Sequence, residues 1–196
     1  MTDDRRRTAI HEAAHCALMT RWSFPITAVS IRPGESHRGV TIMTVDPADR
    51  IRYPLDGTHP LDGPATASRQ WAERRICVLL AGSIAADLLV PVSGFVAPPR
   101  EYPVELAPPA AAKLAEAEAD PESEAPSDDE IAFEFAFRLV GQTANAYLAW
   151  LRLETHRLVA EEAPAIYAVA EALLRGDVLD GASVGQLIGS VTEEIA

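Results

Sequence analysis

Cysteine is scarce in this sequence. Its 196 residues hold two, Cys16 and Cys77, both within apolar stretches of helical pattern, so no disulfide framework is indicated. No charged-then-apolar leader stands before them, and the expectation is a reduced, cytoplasmic protein. Basic residues are also few: 17 Lys and Arg face 29 Asp and Glu, a formal charge of −12. Phosphate backbones and anionic bilayers are bound by clustered Lys and Arg, so this balance argues against a nucleic acid or a membrane as partner. Long apolar runs are missing too. The longest, Ile76 to Pro98, has Asp87 at its centre and is interrupted by Pro91 and Gly94. An Asp at mid-bilayer depth costs about 2.5 to 3.5 kcal/mol, so a buried helix ending near Leu89 explains the same residues at lower cost than a membrane span. No internal repeat is visible.

What is present fits one domain over residues 1–196, with 48% hydrophobic content to form a core. The negative charge is unevenly placed. Residues 101–134 hold 11 acids and one base, Lys113, while the rest of the chain has 18 acids against 16 bases. Around this segment, over 90–126, the composition shifts to Pro, Ala and Glu, which bury too little apolar surface to offset the entropy of ordering. It is expected to be a mobile insertion, with at most a short helix at Ala110 to Ala119. Elsewhere the pattern predicts a first helix starting after Asp3 or Asp4 and running to about Arg21, with Ile10, Ala14, Ala17, Leu18 and Trp22 on its apolar face. Two strands follow, Ile26 to Arg32 and Val40 to Val45, then a loop over 46–68. A second helix covers Ala67 to Leu89. Helical pattern resumes with Ser127 as a cap through Val140, then Tyr147 to Glu162, Pro164 to Arg175 ended by Gly176, and Ser183 to Glu194.

Inside the first helix stands His11-Glu12-Ala13-Ala14-His15, an H-E-x-x-H motif. Helical rotation sets the two imidazoles one turn apart on one face, where they can share a metal ion, and turns Glu12 about 100° away, beside the pair. A carboxylate in that position can act as the general base of a zinc hydrolase. With 5 His and 17 Glu in the chain, chance produces this pattern in roughly one such sequence in a hundred, so it is strong evidence before its helical setting is counted. The bland alternative is two structural histidines and a solvated Glu. A catalytic zinc needs a third protein ligand. The metzincin extension would require Gly at Leu18 and His at Arg21, and neither fits. A site-2 protease would use an L-D-G element, which Asp56 or Asp62 imitates, but that family needs membrane-spanning helices.

The order of elements resembles the peptidase domain of FtsH-type zinc metallopeptidases. There the motif helix is followed by a strand of the form V-S-I-x-P and another opening with G-x-T. Here stand Val29-Ser30-Ile31-Arg32-Pro33 and Gly39-Val40-Thr41. The family's L-L-x-G-x-x-A-E helix is matched by Leu79-Leu80-Ala81-Gly82-Ser83-Ile84-Ala85-Ala86-Asp87, with the acid displaced by one position. Its third zinc ligand, an Asp in a motif like N-D-x-x-x-A, falls on Ser127-Asp128-Asp129-Glu130-Ile131-Ala132. The resemblance thus implies Asp128 as third ligand, with Asp129 and then Asp87 as alternatives; Asp128 and Asp129 also suit a helix N-terminus without any metal. Leu173-Leu174 and Val178-Leu179-Asp180-Gly181 look like the family's closing helix and turn. There are departures. Ala14 stands where the family usually has Gly, and no G-x-x-x-x-G-K motif of an ATPase module is present.

The expectation is an α+β, mainly α, FtsH-peptidase-like domain with a small sheet beside the H-E-x-x-H helix. One Zn²⁺ would be held by His11, His15 and Asp128, with Glu12 as acid and base, although iron, manganese or cobalt would also suit such ligands. The activity implied is hydrolysis of unfolded or small peptides without an ATPase of its own. A homo-oligomer and a separate ATPase are the partners that the resemblance raises. The alternative is a catalytically silent, metal-binding scaffold whose acidic insertion recruits a partner. Cys16, next to His15, is expected to be a packed thiol, and His37, His59 and His156 to be solvated. Tyr147, Trp150, Leu151 and Leu158 are expected in the core or on a subunit face.

Overall fold

A computed structural model describes residues 3–32, 39–43, 66–90 and 126–195. The expected insertion, most of the 46–68 loop, His37 and His59 lie outside the described residues. In chain order the elements are α1 (Asp3–Arg21), β1 (Ile26–Ser30), β2 (Val40–Met43), α2 (Thr66–Leu89), α3 (Asp128–Val140), a 3-10 turn (Gly141–Thr143), α4 (Ala144–Glu161), α5 (Ala163–Gly176), β3 (Val178–Asp180) and α6 (Gly181–Ile195). The fold is mainly helical with one small antiparallel sheet. Among the described residues, no helix is long and apolar enough to cross a membrane.

The motif helix α1 lies at the centre, packed chiefly against α2 and α5. Every residue from Glu12 to Met19 is buried. A helix hidden on nearly all sides needs apolar residues all round, which is why its sequence shows more than one stripe. Ala13, Ala14 and Ala17 keep it slender, and Ala81, Gly82 and Ala85 do the same for α2, so the two backbones approach closely. The helix begins at Asp3, which puts Asp3 and Asp4 in its first turn and not before it. It ends where Ser23 takes a left-handed φ of 57° and Phe24 N–H reaches back to the Met19 carbonyl at 2.8 Å, just ahead of Pro25.

The sheet has the order β2-β1-β3. Val29 on the central strand pairs with Thr41 on β2 and Leu179 on β3. The third strand is a correction to the sequence reading, which expected only a turn at Val178 to Gly181. Three residues are too few to show alternation, and their strand character comes from pairing with Ala28, Val29 and Ser30. Asp180 then accepts a hydrogen bond from Ser183 N–H at 2.7 Å, and α6 starts at Gly181, two residues earlier than expected. The strand β1 stops at Ser30, short of Arg32. Beyond Gly176, Asp177 adopts φ 63° and carries the left-handed exit from α5 that a glycine would ordinarily take.

The start of α3 forms as the sequence indicated. Ser127 Oγ accepts from Glu130 N–H at 3.3 Å, and the Glu130 carboxylate accepts from Ser127 N–H at 2.7 Å. This capping box satisfies two free donors and fixes where the helix begins, with Asp128 as its first residue. Cys16 and Cys77 are both free and buried.

Candidate metal centre

Three elements converge beside Glu12. From α1 come His11 and His15, whose rings meet edge to face with centroids 4.7 Å apart. From the first position of α3 comes Asp128. Its Oδ2 lies 3.4 Å from His11 Nε2 and 3.2 Å from His15 Nε2. One donor atom from each of the three residues falls within 4.8 Å of the others. Donors about 2.0 to 2.1 Å from a tetrahedral zinc stand about 3.3 Å from one another. The two carboxylate–imidazole distances match that spacing. The donor set therefore fits a shared divalent ion.

The second helix supports the two histidines. His15 Nδ1 donates to the Val78 carbonyl at 2.8 Å, which orients the ring with Nε2 toward Asp128. One turn further along, Gly82 lies directly under His11: a Cβ there would be 2.5 Å from both Cε1 and Nε2 of the ring. Arg75, on the same side of α2, lies within electrostatic reach of Asp128. Burial pushes its guanidinium down, and the charge of Asp128 opposes that shift.

Electrostatics couple the three donors. Burial disfavours the charged form of His15, but the hydrogen bond and charge of Asp128, the charge of Glu12 and the Val78 carbonyl together outweigh it, so its pKa is raised. Burial works against ionised Asp128 as well; the hydrogen bonds and charges of His11 and His15 override it and hold the carboxyl well below the usual carboxylate range. The neighbouring acids face elsewhere. Asp129, about 100° further round α3, pairs with Arg152 on α4 at 2.7 Å. Asp87 is exposed and pairs with Arg7.

Glu12 is 5% exposed and sits beside the trio without joining it. Its Oε2 accepts a hydrogen bond from the Thr41 hydroxyl at 2.7 Å. Gly39 lies against its other oxygen, where a Cβ would come within 2.8 Å of Oε1. A cleft of about 240 Å³ opens over this face, lined by Asp4, Arg7, Thr8, His11, Glu12 and Gly39. Cys16 is fully buried and outside the cluster; burial pushes its thiol up, so it stays protonated. His156 is exposed, Leu151 and Leu158 are core, and Trp150 is more than half exposed.

Sequence reasoning named His11, Glu12, His15 and Asp128, and the fold brings His11, His15 and Asp128 together with Glu12 buried beside them. It assigned no part in the site to Thr41, the Val78 carbonyl or Arg75, and took Gly82 only as a small residue that lets another helix pack close. The strings Gly39-Val40-Thr41 and Leu79-Leu80-Ala81-Gly82 were the available signal, but they speak of strand and helix and not of what either touches. Neither the models of known protein families nor the curated proteins include a match to this chain.

Proposed function

We propose that the chain is a zinc-dependent metallopeptidase of FtsH-like architecture, acting on unfolded segments or small peptides. The observation that carries this reading is the convergence of His11, His15 and Asp128, with Asp128 Oδ2 3.4 Å and 3.2 Å from the two Nε2 atoms and a buried carboxylate, Glu12, next to them. His11, His15 and Asp128 would hold the ion. When bound, zinc supplies Lewis acidity that polarises a carbonyl and makes water a stronger acid.

The protein's own groups do the rest. Glu12 takes the proton from the attacking water and returns it to the leaving amine, so that one residue serves as base and then as acid. Its burial strengthens its interaction with charge that develops nearby. Val78 and Gly82 keep the imidazoles in place, and the cleft of about 240 Å³ beside Glu12 and His11 is where a substrate would enter. Among the described residues the sheet order puts β2 at an edge, where a peptide could add as a further strand.

The test combines metal analysis with cleavage. Purified wild type should carry near-stoichiometric zinc and cleave a casein-type substrate. Asp128→Ala should lose the metal, and Glu12→Gln should keep it while losing cleavage. Zinc without cleavage in the wild type would favour a silent scaffold, and a wild type that takes up no zinc would defeat the metal reading altogether.

A further inference from the structure

Glu12 has three side-chain torsions, yet it lies buried, 5% exposed. What holds it there is strand β2. The pairing of Val29 with Thr41 and of Ser30 with Val40 fixes the height of β2 against the buried central strand. At that height the Thr41 hydroxyl meets Glu12 Oε2 at 2.7 Å and the Glu12 carbonyl at 3.5 Å. A hydroxyl has a single proton, and the shorter contact receives it. Two residues earlier on the same segment, Gly39 has no side chain, which leaves room for Oε1 and Cγ of Glu12. One end of β2 thus touches the carboxylate on both sides, by a donor at one oxygen and by open space at the other.

We propose that Thr41 is a positioning residue for Glu12: its hydroxyl occupies Oε2 and holds the carboxylate in one orientation. The inference rests on the peptidase reading for its kinetic consequence, but the orientation itself does not depend on activity. It also explains why the β1–β2 hairpin belongs beside the motif helix. A general base that wanders loses reactive geometry even when its chemistry is intact. Replacing an outer partner of this kind typically costs about 10- to 100-fold in activity.

The experiment compares the full-length wild type with Thr41→Val, which keeps the shape and removes the donor, and Thr41→Ser, which keeps the donor and removes a methyl. With casein-type substrate, Thr41→Val should lower kcat about 10- to 100-fold with KM within about twofold and zinc content unchanged, and Thr41→Ser should recover most of the loss. Crystal structures of wild type and Thr41→Val give the second readout: the Glu12 carboxylate should leave its seat in the variant. Should Thr41→Val not fold, Thr41→Ala removes the same donor without adding bulk. An unchanged kcat, or a Glu12 carboxylate that keeps its place without the hydroxyl, overturns the proposal. If the wild type binds zinc and cleaves nothing, the peptidase reading fails while the crystallographic comparison still decides the role of Thr41.

Discussion

At Gly82 two effects of one methyl group oppose each other. Alanine is favoured over glycine inside a helix by about 0.8 to 1.0 kcal/mol, so Gly82→Ala should leave the metal-free fold as stable or more so. The same methyl would stand 2.5 Å from two atoms of the His11 ring, which must then move. Zinc affinity should fall by about an order of magnitude or more, as for other outer-shell changes, while the unfolding temperature without metal does not drop. Competition with a chelator, alongside thermal melts, checks both halves. His15 provides a pH counterpart. Its pKa is raised above 6.5 in the fold, so its contribution to metal-free stability is full below about 6.5 and disappears as pH rises through the folded value. Asp128 is depressed, so its contribution is present above its ordinary value near 3.8 and is lost only as pH falls far into acid. Metal-free protein should therefore become less stable from pH 6.5 upward. Zinc needs neutral imidazoles, and its affinity should rise over that same range. Melts with and without zinc at a series of pH values would show the two trends crossing; parallel trends would refute the coupling.

Among the elements, α3 shows what a sequence can and cannot disclose. Ser127 and Glu130 announce its start, because a capping box is a local pattern satisfied within four residues. Which of two adjacent acids faces α1 is not local. It depends on the rotation of α3 against α1 and α2, and the structure turns Asp128 inward and Asp129 to Arg152. The motif on α1 was legible because His11, Glu12 and His15 share one helix and the helical period alone relates them. Thr41 was not, since its partner is 29 positions away, on a helix packed against the sheet. Nor was β3, whose strand character exists only against β1. The cap links stability to the site, because Asp128 is the first residue of α3. Ser127→Ala should cost about 1 kcal/mol of stability and, by loosening that turn, speed zinc release. Urea unfolding measures the first effect and stopped-flow chelation the second; a slower or equal release rate would uncouple them.

For the molecule as a whole, the site lies where α1, α2, α3 and β2 meet, and α1 is also the centre of the core. Metal affinity and global stability should consequently move together. At free zinc a hundred times Kd, the native state should gain about 2.7 kcal/mol over the metal-free protein, provided the unfolded chain binds zinc poorly. Calorimetry with and without zinc measures this, and an unchanged midpoint at saturating metal would show that the site forms independently of the fold. His15 and Asp128 are 113 positions apart in the chain and about one coordination shell apart in space. An ion between them would act as a removable staple, closing a long loop whose ends the unfolded chain seldom brings together, and its entropic benefit grows with the logarithm of that length. A chelator would then do more than switch off a reaction. It would lengthen the free chain that a protease or an unfolding machine can seize, and so set the protein's lifetime by the supply of metal.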